Sequence, residues 1–459
     1  MNVKARLWPK VFGLFVMFAT VSGPTGAQDL QSENEALRVE VAALRARVAE
    51  LEAGVCSPRN GVLGDDQASG KVTLLRKLGA ERLAQAELAL GRTPGPLIVP
   101  DALLGAVVPG EYIVLTAGTV TDAANAAALI GVDPAQIVHV YGRALSGFAV
   151  RMTAAERATA EQVQGVVSIA RNGVIFATGQ NTATSDATAK PVSPLIDQGQ
   201  TDSTVDVFLF DTGIRAVHRD LEGRVSEKGF SFFDNGIAGE DCSGHGTHVA
   251  ARIAGHTLGA SASARLISVK VIDRFGTGDV ATVIAGIDWV MGQPGSRKLV
   301  NMSLTRLATE DPSPLDMAVQ NLIDDGAVVV VAAGNSAADA ADFTPARVEG
   351  AITVGSATAK GVSDFSNAGA RVDIYAPGDA VTSASIRDIC GTQKMSGTSM
   401  AAPLVSGLIA DILLEPHSGA NVVELLQKRA ERVSTGAFTG ETERFILDVP
   451  EQVTLRICQ

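Results

Sequence analysis

The spacing of apolar residues changes several times along this chain, and each change marks a unit. Behind Lys4, Arg6 and Lys10 runs an apolar stretch, Val11 to Val21, closed by the small residues Thr25-Gly26-Ala27. It is short for a bilayer span, so residues 1–27 read as a secretory signal peptide cut after Ala27. The alternative is an uncleaved anchor. A heptad pattern follows, with Leu30, Leu37, Leu44 and Leu51 at d and Asn34, Val41, Val48 and Val55 at a. Glu33–Arg38, Glu40–Arg45 and Arg47–Glu52 would attract across a parallel seam. Residues 28–56 are therefore expected to form a coiled coil, with 30–55 joining two chains as a parallel homodimer. The alternative is one helix packed on its own domain.

Residues 57–108 read as a linker and a helix. Ser57 to Gly70 is rich in turn formers, and Val72 to Leu90 has helical spacing up to Gly91. The next unit, 109–178, alternates short strands and helices. Strands are expected at Tyr112–Leu115, Ile137–Tyr141, Gly147–Met152, Val166–Ala170 and Val174–Ala177. Helices are expected at Ala123–Ile130 and after Thr153, whose Glu156 completes a capping signature. The β-α-β-β-α-β order is a split, ferredoxin-like α+β arrangement.

Composition narrows the function classes. The 459 residues are 46% hydrophobic and 19% charged, which excludes a mostly disordered chain. A net charge of −12 and 4% aromatics recommend no nucleic-acid partner. The 47 glycines and the Ala-rich stretches suit a tightly packed α/β core. Four cysteines are too few for a disulfide scaffold, but export permits bridges, and four allow three intramolecular connectivities.

Three segments carry chemistry. Val205 to Gly213 is an apolar strand ending in Asp211 at a glycine turn. Gly244-His245-Gly246-Thr247-His248 places an imidazole among glycines ahead of a helix. Ser396-Gly397-Thr398-Ser399-Met400-Ala401-Ala402-Pro403 starts a small-residue helix with a serine. Asp, His and Ser in that order suit nucleophilic acyl transfer. Ser399 would attack once His245 removes its proton, and Asp211 would orient the imidazole. His218 and His248 read as structural. A zinc site from His245 and His248 fails for want of a third ligand.

On these residues the chain resembles the subtilisin-like serine proteases of peptidase family S8, nearest the proteinase K-like branch, over about 109–450. The stretch PGEYIVL…VYGRALSGFAVRMTAAE…VVSIARNGVIFAT resembles the inhibitor-I9 prodomain of such enzymes. The resemblance implies a catalytic domain at 190–450: α/β, with a parallel sheet and helices on both faces. It would be preceded by the prodomain as its own inhibitor. The implied function is a secreted endopeptidase, extracellular or periplasmic, acting on protein or peptide substrates and made as a self-processing zymogen. Cleavage is expected in the polar stretch Ala177 to Lys190. The rival reading is a catalytically silent binding module assembled by the coil. Within the implied site, Asn335 and the Ser399 amide form the oxyanion hole, while Ser303, Leu304, Ala332, Ala333 and Gly334 bind substrate. No cofactor is required for the chemistry. Asp373 falls at a calcium-ligating position, with the Glu349 and Ala351 carbonyls as partners; a satisfied turn Asp is the alternative.

Two departures stand out. The substrate strand continues Ser303-Leu304-Thr305-Arg306, where relatives carry two glycines. Either these side chains narrow the pockets, with Arg306 attracting acidic residues, or they point outward. Cys242 lacks its usual partner, because the matching segment ends in Arg274, so Cys242–Cys390 is the suggested bridge and Cys458 is unassigned. Cys56 directly follows the last heptad. If it bridges two coils, the full chain runs at twice its reduced mass on a non-reducing gel; a monomer band under both conditions removes that bridge.

Overall fold

The structure is a computed structural model. It describes residues 104–181, 204–233, 239–415, 422–428, 431–434 and 443–446, apart from 296, 310–312, 359 and 388. The expected signal peptide, coiled coil and linker helix lie outside the described residues, as do Cys56 and Cys458.

The N-terminal unit runs β1 (Val107–Thr116), α1 (Ala123–Ile130), β2 (Ile137–Tyr141), β3 (Gly147–Arg151), α2 (Ala154–Ala160) and β4 (Val166–Ala177). Asp122 caps α1 and Gly131 ends it in the left-handed region. Thr153 and Glu156 form the expected capping box on α2. The four strands pair antiparallel in the order β4-β1-β3-β2, which is the ferredoxin-like arrangement read from the sequence.

The strand period of two divides β1 between two cores. Val114 faces inward with Ile130, Phe148 and Val150 under the unit's own helices. Ile113 and Leu115 face the other way, with Tyr141 and Ala149, onto residues of the C-terminal unit such as Ile284, Ile287 and Val319. Both faces of this small sheet are thus apolar and both are covered.

One expectation is corrected. Val166–Ala170 and Val174–Ala177 are not two strands but one, because Arg171-Asn172-Gly173 continues the extended backbone. The polar side chain of Asn172 is fully buried yet satisfied: its Nδ2 donates to Glu111 Oε2 (2.9 Å) and its Oδ1 accepts from Ala281 N (3.0 Å). Gly173 lies against Arg306, where an added Cβ would come within 2.3 Å of the guanidinium carbon. A tertiary environment therefore decides what looked like a break.

After β5 (Gln180–Asn181), the C-terminal unit begins with β6 (Val205–Asp211), β7 (Phe230–Ser231), α3 (His245–Ala254) and β8 (Ala264–Lys270). It continues through β9 (Thr277–Asp279), α4 (Val280–Met291), β10 (Lys298–Met302), β11 (Leu304–Leu307), α5 (Pro314–Asp324) and β12 (Val328–Ala332). Then come β13 (Phe343–Thr344), β14 (Ile352–Thr358), β15 (Gly361–Val362), β16 (Ile374–Pro377), β17 (Val381–Ala384), β18 (Thr392–Ser396), α6 (Thr398–Ile412), α7 (Val422–Lys428), β19 (Glu431–Ser434) and β20 (Glu443–Ile446).

The main sheet has the order β19-β20-β16-β14-β12-β10-β6-β8-β7. From β20 to β7 its neighbours run parallel; β15 and β19 add antiparallel edges. The central strands are buried along almost their whole length, as a sheet covered on both faces requires. α3 and α6 pack with one face, where Leu209, Val330 and Val354 meet Val249 and Leu404. α4 and α5 pack with the other, around Phe208, Val300 and Val331. This is the α/β architecture expected from the sequence.

The two units also meet through polar groups. Asp288 of α4 accepts at Oδ1 from the backbone amides of Gly142, Arg143 and Ala144 (2.8, 2.5 and 2.8 Å). Asn321 Nδ2 donates to the Ala144 carbonyl (2.8 Å). Hydrogen bonds to a charged group contribute about 1.5–3 kcal/mol each when buried, and this carboxylate is only half-buried. Asp288→Ala should weaken docking by about 1.5 kcal/mol, the lower end of that range. Hydrogen exchange should then speed up about tenfold in β2 and β3 and remain unchanged in β10 and β12.

Candidate active site

Elements far apart in sequence deliver the candidate residues to one place. Asp211 is the last residue of β6, His245 the first of α3, and Ser399 the second of α6. His245 Nδ1 lies 2.7 Å from Asp211 Oδ1, and the Thr212 amide donates to the same oxygen (2.7 Å). All three residues are buried. Burial pulls the His245 pKa down, but the Asp211 charge, the hydrogen bond to it and the Asp241 charge outweigh that effect. The imidazole is left above its ordinary 6.5.

The chain's own segment 174–181 covers Ser399. The C-terminal half of β4 is held as a strand between two rails. Val174, Ile175 and Phe176 pair antiparallel with Asp279, Gly278 and Thr277 of β9. Ala177 and Phe176 pair with Leu304 and Thr305 of β11. The Thr178 amide donates to the Ser303 carbonyl (3.3 Å). Asn335 Nδ2 donates to the Thr178 carbonyl oxygen. Beyond this point, Gln180 and Asn181 pair with Ser396 and Met395 of β18. The bond between Thr178 and Gly179 thus lies directly over Ser399.

The serine is engaged from two sides. Its Oγ donates to the Ser303 carbonyl (3.2 Å) and shares a hydrogen bond with Thr178 Oγ1. His245 Nε2 makes no hydrogen bond among the described residues and faces Gly179, where a Cβ would lie 2.7 Å from that nitrogen. Asn335 is itself fixed, since its Oδ1 accepts from the Thr398 amide and hydroxyl (2.9 Å each). Thr398 Oγ1 in turn accepts from the Gly334 amide (3.1 Å). Ala332 ends β12; the Ala333 amide donates to Val354 O and its carbonyl accepts from Asn367 Nδ2 (2.9 Å each). Of the residues expected to bind substrate, Ser303 and Leu304 bond this strand of the chain itself, and Ala333 shares an apolar cluster with Val174 and Phe176.

The departures are resolved in one direction. Thr305 and Arg306 do not point outward: each is 3% exposed, and Arg306 Nη2 donates to Thr309 Oγ1 (3.2 Å). His218 bonds the Asp220 amide through Nδ1 (3.2 Å), with Nε2 3.0 Å from Gly391 O. His248 Nε2 sits on the carbonyls of Val381 and Gln393 (3.1 and 3.2 Å), and burial, then the neighbouring His245, push its pKa down to about 3. It is a neutral structural donor. Cys242 and Cys390 are both disulfide-bonded. Their neighbourhoods adjoin, since Arg219 N donates to Ile389 O (2.7 Å) and Gly244 packs near Ile386.

Asp373 accepts at Oδ2 from the Thr353 amide (2.8 Å) while its own amide donates to Thr353 O (2.9 Å), tying β16's entry to β14. The carboxylate thus serves as a satisfied acceptor between these strands, and a calcium ion there would need about six oxygens, mostly from carbonyls and water. Among the described residues, no three His, Cys, Asp or Glu side chains gather as a metal site.

The expected cleavage stretch Ala177 to Lys190 contains Thr178 and Gly179 without singling them out, and nothing in it pointed to the β9 rail, Thr398 or Asp241. Of these, Asp241 had a local signal, a carboxylate four residues before His245. The others depend on long-range pairing.

Two family profiles match the two units. The Subtilase family matches residues 202–433 and the Peptidase inhibitor I9 family matches residues 115–177. The chain belongs to the subtilase family, and its class is the serine endopeptidases. It is similar to the "Extracellular serine proteinase" of Thermus sp. (strain Rt41A), 38% identical over 294 residues, covering 62% of this chain and 71% of the relative. It is also 39% identical over 236 residues to "Alkaline serine exoprotease A" of Vibrio alginolyticus, covering 51% of this chain and 43% of that one. A crystal structure of a cold adapted subtilisin-like serine proteinase is 36% identical over 58% of this chain and 97% of that chain, with a TM-score of 0.49.

The pH dependence follows from the imidazole. A general base must be neutral, and a raised pKa holds the proton to a higher pH. For a peptide substrate, kcat/KM should therefore rise across a midpoint above 6.5. An acid limb well below that value contradicts His245 as the base.

Proposed function

We propose that this chain is a secreted serine endopeptidase made as a self-processing precursor, and that its first substrate is its own Thr178–Gly179 bond. The supporting observation is the lie of β4 through the cleft: paired on both edges, it presents the Thr178 carbonyl to Asn335 directly above Ser399.

The chemistry follows from this placement. Ser399 Oγ attacks the Thr178 carbonyl carbon, and His245 Nε2 takes the serine proton. Asp211 holds the imidazole through Nδ1 and stabilises the imidazolium. Charge developing on the Thr178 oxygen is met by Asn335 Nδ2. It is also met by the Ser399 amide, one of the first-turn amides that have no partner within the helix. The electrostatics here are large: one such donor contributes on the order of 10²–10³ in rate. His245 then protonates the departing Gly179 amine. Thr178 remains as an acyl ester on Ser399 until water, deprotonated by His245, releases it.

Before attack, the Ser399 hydroxyl must leave the Ser303 carbonyl and Thr178 Oγ1 and turn to His245. Once the bond is cut, residues 104–178 keep their β-pairings and their docking on α4 and α5. The N-terminal unit therefore stays in the cleft as a product-like inhibitor. Release frees the rails of β9 and β11 for extended segments of other proteins, the substrate class we assign. The buried Thr305 and Arg306 side chains flank that path. Export rests on residues 1–27 and on the extracellular character stated for the Thermus relative.

The decisive experiment uses the secreted chain with and without Ser399→Ala. The unaltered chain should yield a new N-terminus at Gly179, and the Ser399→Ala chain should remain whole. A Ser399→Ala chain cut at Gly179 in a protease-deficient host shows that the cleavage is not its own. A mature chain that no fluorophosphonate labels supports the binding-module rival.

A further inference from the structure

Four residues before His245 lies a carboxylate that the mechanism above does not use. Asp241 is fully buried, in the loop between β7 and α3. Both of its oxygens are occupied. Oδ1 accepts from Thr212 Oγ1 (2.8 Å) and from the amides of Ser243 and Gly244 (2.9 Å each). Oδ2 accepts from the amide and the hydroxyl of Thr247 (2.8 and 2.7 Å). A charge in the interior is tolerated only with such complete pairing. Neutral donors alone supply it, since no cation pairs with Asp241 among the described ion pairs.

The partners show what this arrangement does. Thr212 directly follows Asp211, and its amide fixes Asp211 Oδ1. The Thr212 hydroxyl, held by Asp241, accepts from the Gly246 amide (2.9 Å), the residue after His245. Ser243, Gly244 and Thr247 bracket His245 on both sides. The end of β6 and the first turn of α3 therefore share one anchor. The negative charge also sits where a helix N-terminus favours it. Thr247 Oγ1 extends the net by accepting from the Arg215 amide (3.0 Å).

We propose that Asp241 is the positioning residue of this active site, holding the imidazole of His245 in register with the carboxylate of Asp211 through the Thr212 hydroxyl and the first turn of α3. The proposal rests on the triad reading above and adds a fourth group to it. Preorganised geometry of this kind carries much of an enzyme's rate advantage, and a displacement of about 1 Å can cost on the order of 10²-fold.

The charge has a second consequence. Asp211 from β6 and Asp241 from the loop both favour protonated His245, while His248, one turn along α3, stays neutral. Lys270 of β8 donates to the Glu240 carbonyl (2.7 Å), and α6 brings Ser399 to the same corner. Removing the Asp241 charge lowers the His245 pKa, so the neutral base persists to lower pH.

The test compares Asp241→Asn and Thr212→Val with the unaltered enzyme, with rates taken per Ser399 labelled by a fluorophosphonate. Both variants should lower kcat per site, by about tenfold or more for Asp241→Asn, with KM changed less than about twofold. The acid limb of kcat/KM should move to lower pH in Asp241→Asn alone, because Thr212→Val removes no charge. Thr212→Val is nearly isosteric and keeps the decision open if Asp241→Asn does not fold. Unaltered kcat per site in Thr212→Val overturns the proposal. So does an Asp241→Asn loss confined to yield or melting temperature. Failure of the unaltered enzyme to label at all counts against the triad reading instead.

Discussion

Everything in this molecule depends on one strand that serves two units. The first half of β4 completes the sheet of the N-terminal unit by pairing with β1. Its second half is clamped between β9 and β11 of the C-terminal unit. A peptide held on both edges has its backbone groups satisfied and almost no freedom to slide, because a one-residue slip would turn every side chain to the wrong face. Register set by the apolar faces of a small sheet is thereby transmitted along one backbone to the carbonyl above Ser399. Asn172, bonded to Glu111 on one side and Ala281 on the other, pins the joint where the strand leaves one unit for the other.

The same constraint underlies the proposal that the precursor is both substrate and inhibitor. Before cleavage, the strand delivers the Thr178 carbonyl to Asn335. On that proposal, the pairings that deliver it would outlast the cut, along with the Asp288 and Asn321 contacts. The proposed self-cleavage would then leave the site filled. In this arrangement the nucleophile is turned aside, with Ser399 Oγ bonded to the Ser303 carbonyl and to Thr178 Oγ1, and His245 Nε2 makes no hydrogen bond among the described residues.

Much of this was legible in the linear chain. The ends of α1 could be read because Asp122 and Gly131 act locally, and α2 because Thr153 and Glu156 close their box within three residues. The central strand ending in Asp211 could be read because burial on both faces favours a nearly unbroken apolar run. The break expected at Arg171-Asn172-Gly173 was wrong for a definite reason. Polar and glycine residues usually mark turns, but here the polar group is paired across units and the glycine makes room for Arg306. The role of Thr178 was hidden likewise, since nothing in its neighbourhood distinguishes it from the threonines that follow.

The local chemistry is written in the linear chain: a carboxylate ending an apolar strand, an imidazole opening a helix among glycines, and a serine at the head of a small-residue helix. Such features are set by interactions between residues a few positions apart, so spacing reveals them. Only the tertiary structure decided which peptide bond lies in the site, that Thr305 and Arg306 turn inward, and that Asp241 ties β6 to α3. The contact between Thr178 and Ser399 joins residues 221 positions apart, and that between Thr212 and Asp241 spans 29. Contacts of that range depend on how sheets register and helices pack, a cooperative outcome of the whole core that no short run of residues encodes.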